Sequence, residues 1–235
     1  MSTLRTARDR ARAAVVADIL DTARRHVASE GAPALSLRAV ARELGMVSSA
    51  IYRYFPSRDD LLTALIVDAY DDLGARAEDA AGVTAGEPAA SRWLAVARAV
   101  RDWAVAHPHE YALLYGSPVP GYRAPQTTVA PAARVAFALA GVVRDAWERG
   151  EITATPGDDT NIDGAVAADA RRVADALELG APTDVVARML IAWTQLFGML
   201  SFSLFGHLVG SVDDTAAFFD HAGLAMARFV GITTA

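Results

Sequence analysis

Between Ser36 and Phe55 the apolar positions fall into two short helical periods separated by a glycine. Leu37, Val40, Ala41 and Leu44 stand at i, i+3, i+4 and i+7, one face of a helix. Ser36 is in place to cap its start, and Gly45 follows where helices end in a left-handed residue. Met46 and Val47 make a turn, and Ser48 can cap a second helix whose apolar positions Ile51, Tyr54 and Phe55 again run i, i+3, i+4. Two short helices, a glycine turn and a small Ala41 where they must approach closely describe a helix-turn-helix. The second helix of such a unit is suited to a DNA major groove. Any other pair of antiparallel helices in a helical protein can show the same apolar pattern.

The rest of the chain repeats the helical period. Residues 1–6 read as a loose arm. A first long helix is predicted from Ala7 to Glu30 on the stripe Val15, Ile19, Ala23 and Val27, stopped by Gly31 and Pro33. Ser57 and Asp60 form a capping box for a helix running to about residue 80, with Leu61, Leu62, Leu65, Ile66 and Ala69 inward. Further helices are predicted over 89–107, near Tyr111, over 128–149, over 165–179, from Val185 with Thr183 as its cap, and over 212–229. A polar acidic stretch from Ile152 to Gly164 reads as a mobile loop. No strand alternation and no repeat is present, so the fold class is all-α with about nine or ten helices. The predicted division is a helix-turn-helix domain over 1–66 and a helical ligand-binding and dimerisation domain over 67–235.

Charge supports that division. The whole chain carries a formal net charge of −6, yet residues 1–66 hold ten arginines against seven acids. A basic head on an acidic body suits nucleic acid at one end only. Arg5, Arg8, Arg10 and Arg12 form a basic arm, read equally as a solvated helix start or as extra phosphate contacts. The chain has no cysteine, which excludes disulfides, thiolate metal sites and cysteine nucleophiles. His107 and His109 flank a proline and do not share a helix face as a metal pair does. No nucleophile elbow, phosphate loop or dinucleotide fingerprint is present, so no catalytic residue, metal or cofactor is expected. Residues 189–212 carry no charge and are long enough to span a bilayer. Their Thr194, Gln195, Ser201, Ser203 and His207 favour a buried interface helix instead.

The run Ala41-Arg42-Glu43-Leu44-Gly45, followed by Ile51-Tyr52-Arg53-Tyr54-Phe55-Pro56-Ser57-Arg58-Asp59-Asp60-Leu61-Leu62, resembles the DNA-binding domain of tetracycline-repressor (TetR) regulators. The resemblance covers about residues 7–69. Trp193-Thr194-Gln195-Leu196-Phe197-Gly198, Phe205-Gly206 and the loop Tyr115-Gly116-Ser117-Pro118 resemble the C-terminal domain of a TetR subgroup named for a Trp-His-Gly motif, with Phe197 where the name has His. The resemblance implies that the last two helices form a four-helix bundle with a second copy, and that a ligand cavity lies between the middle helices.

Ser48, Ser49, Tyr52 and Arg53 occupy the outward face of the second short helix, where hydroxyls suit phosphate or base edges and arginine suits guanine. The resemblance adds Tyr52 and Tyr54 as phosphate contacts and Arg38 and Arg58 as backbone contacts; Ser36 completes the candidate DNA-binding set. The apolar period also points Tyr54 inward, so a structural role for it stays open. Trp103, Tyr111, Tyr115, Trp147, Trp193 and Phe197 are candidates to line an apolar pocket, with plain core packing as the alternative for each. The expected protein is a cytoplasmic homodimeric repressor. It binds palindromic double-stranded DNA, is released by a small apolar effector, and has no membrane partner. A helical enzyme and a membrane-tethered regulator are the competing classes.

Overall fold

The computed structural model describes residues 2–153, 162 and 164–233, with side chains from Ala7 onward. Ten α-helices lie among them: α1 (Ser2–Glu30), α2 (Leu37–Glu43), α3 (Ser48–Ile51), α4 (Arg58–Val83), α5 (Ala89–Ala106), α6 (Pro108–Tyr115), α7 (Val129–Glu148), α8 (Gly164–Ala176), α9 (Thr183–Leu204) and α10 (Thr215–Val230). The fold is all-α. Among the described residues, extended pairing is limited to one antiparallel bridge between Ile152 and Ile232. Of the loop expected over 152–164, residues 154–161 and 163 lie outside the described set.

Several helix ends differ from the sequence expectation. α1 begins at Ser2 rather than after a loose arm, because neither glycine nor proline interrupts the first residues. Ser48 and Thr183 enter their helices as first residues and make no capping bond; Val47 and Pro182 precede them in extended conformation. α10 starts at Thr215, not 212, because the Asp214 carboxylate accepts from the Ala216 and Ala217 amides at 3.0 and 2.9 Å. Ser57 caps α4: its hydroxyl accepts from the Asp60 amide at 3.1 Å and donates to the Asp60 carboxylate at 2.7 Å, in place of the backbone bond that would complete a capping box.

The chain forms two compact units that do not follow a single cut. The first joins residues 1–70 with 108–131; the second joins 71–107 with 132–235. In the first unit, Ile19, Ala23 and Val27 of α1 are buried with Val40, Ala41, Ile51, Phe55, Leu61, Leu62 and Leu65. Leu113 and Leu114 of α6, with Val119 and Tyr122 beyond it, pack on that same core, which is why this later segment belongs to the head. The Tyr122 and Thr63 hydroxyls meet at 2.9 Å. No periodicity along the chain reveals such a return.

In the second unit α9 is the central helix, packed by α5, α8 and α10. α9 is long and apolar enough to cross a membrane, as is α7, but half of the apolar window of α9 is buried inside the fold. Arg92 is buried on α5 and its guanidinium donates to Asp145 of α7 at 2.8 Å. Next to the Ile152–Ile232 bridge, the Thr153 amide donates to the Gly231 carbonyl and the Thr233 amide to that of Glu151, both at 2.9 Å. The Glu151 carboxylate also accepts from the Ala89 amide at 2.8 Å.

Candidate functional site

α2 starts with the Ser36 hydroxyl accepting from the Ala39 amide. It ends at Gly45, whose φ of +65° places it in the left-handed region. There the Met46 amide donates to Ala41 O at 2.8 Å and the Gly45 amide to Arg42 O at 3.2 Å. These two bonds satisfy carbonyls that the helix end leaves open, and they turn the chain sharply into α3. α3 has only four residues, but its bonding continues as a tight turn: Arg53 donates to Ala50 O at 3.2 Å and Tyr54 to Ile51 O at 2.9 Å. Ile51 and Phe55 anchor this segment in the head core. The opposite face is therefore held outward on a short, rigid support.

That face carries Ser48, Ser49, Tyr52 and Arg53, all exposed; Tyr52 keeps 42% of its surface open to solvent. Arg38 is exposed on α2, and Ser36 is half-buried by its capping role. Tyr54 is half-buried, with the Arg12 guanidinium 5.1 Å from its ring centre, which ties α1 to the turn after α3. Arg58 is engaged inside the head. Its Nε donates to Leu35 O at 3.2 Å and its Nη2 to Ala32 O at 2.9 Å, so this guanidinium clamps the turn before α2. A second brace joins α1 to α2, where Glu43 accepts from Arg25 at 2.8 Å and meets His26 at 2.7 Å. Hydrogen bonds from Arg25 and then His26 hold the Glu43 carboxyl below its ordinary range. Sequence periodicity gives no sign of the Arg12, Arg58 or Glu43 contacts, since each joins positions distant along the chain.

The six aromatic candidates divide between the two units. Tyr111 and Tyr115 lie in the first, with ring centres 5.1 Å apart, and Tyr70 meets Tyr115 edge-on at 6.0 Å. Burial, with Tyr70 and Tyr111 nearby, pushes the Tyr115 phenol well above its ordinary value. In the second unit Trp103 is 1% exposed, its indole N–H donates to Asp72 at 2.7 Å, and its ring stacks on His107. It is a packing anchor between α5 and α4 rather than a pocket wall. Trp147 is 39% exposed near the end of α7. Trp193 lines a cavity in this unit, and Phe197 is buried one turn on, with ring centres 5.7 Å apart.

This cavity has a volume of about 480 Å³ and lies among α7, α8 and α9. Ala136 and Leu139 of α7, Val173 of α8, and Met189 and Trp193 of α9 make an apolar lining, with Asp169 and Arg172 of α8 paired at its edge. Small apolar molecules suit such a space. A second, more open groove of about 610 Å³ follows the outer faces of α9 and α10, lined by Gly198, Met199, Phe202, Phe218, Ala222 and Phe229. Phe202 is 56% exposed there.

Residues 19–65 match the family model described as bacterial regulatory proteins of the tetR family, and residues 93–226 match the one described as a tetracyclin repressor-like C-terminal domain. The chain belongs to the TetR family. It is similar to the HTH-type transcriptional regulators Rv1816 of Mycobacterium tuberculosis and Mb1846 of Mycobacterium bovis, each 42% identical over 199 residues covering 83% of both chains. The crystal structure of the regulatory protein SCO4313 matches 94% of this chain and 98% of that one, with TM-score 0.74 and 35% identity. The TetR-family regulator PfmR of Thermus thermophilus shares the fold, with TM-score 0.53 and 18% identity over 91% of this chain and 96% of that one. As a TetR-family protein the chain is a DNA-binding regulator of transcription, not an enzyme, and α2–α3 is its helix-turn-helix.

Proposed function

We propose that this TetR-family regulator is a cytoplasmic homodimeric repressor released from a palindromic operator by a small apolar effector. The cavity of about 480 Å³ among α7, α8 and α9 carries this reading: it is apolar, it has an indole in its wall, and a single ion pair marks its edge. Residues 1–66 read the DNA, and residues 67–235 sense and dimerise. The C-terminal domain is of the Trp-His-Gly subgroup in this reading, on the strength of Trp193, Gly198 and the loop 115–118, with Phe197 in place of the motif's His. The effector acts only through its different affinity for the DNA-binding and released arrangements. A tenfold loss of operator affinity needs about 1.4 kcal/mol of such coupling.

The test begins with selection of bound sequences from random DNA, which yields the operator. Affinity for that operator is then measured with and without a library of apolar metabolites while tryptophan fluorescence is followed. Compounds that quench or shift the emission should release DNA, and Trp193→Ala should blunt that release. If no compound changes operator affinity, the effector reading fails and a DNA-binding regulator remains.

In the head, Ser48, Ser49, Tyr52, Arg53 and Arg38 face the DNA in this reading. Ser36, Tyr54 and Arg58 support them through the contacts described above. Tyr52→Ala is expected to weaken all sequences alike, as loss of a phosphate contact does. Arg53→Ala is expected to relax discrimination at one base position by about 1–3 kcal/mol. Repeating the selection with each variant separates the two effects. An unchanged preferred operator bound with unchanged affinity by the Arg53 variant rules out base reading there.

A further inference from the structure

Helix α4 carries a glycine in its interior, Gly74, where alanine is ordinarily favoured by about 1 kcal/mol. The reason is a close crossing. A Cβ at Gly74 would stand 2.6 Å from Cβ of Arg134 on α7. Arg134 lies over this gap and grips α4 on both sides of it. Its Nε and Nη2 donate to the two oxygens of Glu78 at 2.8 and 2.6 Å, and its Nη1 donates to the Asp71 carboxylate and to the Asp71 carbonyl, both at 2.9 Å. Asp71, Gly74 and Glu78 are i, i+3 and i+7, a single stripe of α4.

The other side of α7 belongs to the cavity. Ala136 and Leu139, which line it, follow Arg134 by two and five residues. At about 100° per residue they stand roughly 200° and 140° around the helix from Arg134. α7 therefore has the cavity wall on one face and the grip on α4 on the other. α4 runs unbroken from Arg58 to Val83, and its first half supplies Leu61, Leu62, Leu65 and Ile66 to the core that anchors α3.

We propose that Arg134 is the positioning residue through which occupation of the α7–α9 cavity acts on α4 and so on the DNA-binding head. The proposal rests on the effector reading and deepens it. A molecule filling the cavity displaces α7, and the four-bond guanidinium fork makes α4 follow. A lysine in place of Arg134 offers a point charge without the planar fork. The carboxylates of Asp71 and Glu78 are about half exposed, so these ion pairs add little to stability, and their geometry is what matters. The Glu78 carboxyl is held below its ordinary range by the bond from Arg134.

The test uses the full-length protein, its selected operator, and a side chain in place of an effector. Ala136→Trp fills the cavity from the α7 wall, and Ala176→Phe fills it from α8. Filling is verified by loss of 1-anilinonaphthalene-8-sulfonate binding. Each filler is expected to lower operator affinity at least tenfold in the otherwise native protein. It should lower it less than twofold when combined with Arg134→Met or, as an independent removal of the same grip, Glu78→Gln. A merely structural Arg134 would shift the melting temperature and the starting affinity but leave the filler's fold-change untouched. A tenfold drop that persists in the Arg134→Met and Glu78→Gln backgrounds overturns the proposal and leaves the effector reading standing. Fillers without effect in every background overturn both.

Discussion

Phe218→Glu is expected to convert the proposed homodimer to a monomer and to remove high-affinity operator binding with it. Phe218 and Phe202 are exposed on the groove between the outer faces of α10 and α9, beside Gly198, Ala222 and Phe229. Exposed aromatics in a continuous apolar groove of this size mark an association surface rather than a monomer's solvent face. A second copy of the chain is its occupant in the proposed reading, through an isologous contact. Two-fold symmetry places each substitution in the interface twice. If each buried carboxylate costs about 2 kcal/mol, the dimer dissociation constant rises roughly a thousandfold. The two α3 helices then no longer reach half-sites about 34–36 Å apart together. Sedimentation at micromolar concentration reads the assembly directly. A variant that remains dimeric with unaltered affinity places the dimer contact elsewhere.

Trp103→Ala is expected to destabilise the second unit by about 3–5 kcal/mol. The indole is almost fully enclosed, stacks on His107 with ring centres 5.2 Å apart, and donates to Asp72. Trp103→Phe keeps much of the volume and loses the charge-assisted hydrogen bond, so about 1.5–3 kcal/mol is expected. Asp72 is half exposed and retains Arg76 at 3.4 Å, so the orphaned carboxylate adds little further cost. Denaturant unfolding of the two variants checks the order. Equal losses for Phe and Ala would mean that the hydrogen bond, and not packing, sets the anchor's contribution.

Trp103 also shows where sequence reasoning stops. A tryptophan on an apolar helical stripe has the same pattern whether it faces a cavity or a close-packed neighbour; only the partner helix decides. The same limit separates Arg53 from Arg58. Both follow α3 closely and both carry a guanidinium, but the carbonyls that engage Arg58 come from the turn at residues 32–35. Local chemistry, by contrast, was legible. Ser36, Gly45, Ser57 with Asp60, and the inward positions of Ile51 and Phe55 follow from bonds and periods spanning a few residues. At α9 Thr183 offered itself as a cap and Pro182 set the boundary instead, and at α10 the Asp214 carboxylate moved the start from 212 to 215.

The two compact units share one chain unevenly, with crossings between 70 and 71, 107 and 108, and 131 and 132. The first crossing falls inside α4 and the last inside the first turn of α7. A reading head of this kind is not a cassette. Genetic exchange at a single junction after residue 66 would bring in a foreign core while leaving behind Leu113, Leu114, Val119 and Tyr122, which were fitted to the old one. Chimaeras that give this regulator a new operator preference therefore need two transplanted segments, or else a graft confined to the surface of α2 and α3. By the same logic, natural diversification of DNA preference in such a chain proceeds by point changes on that small outward face, while recombination is restrained by the returning segment.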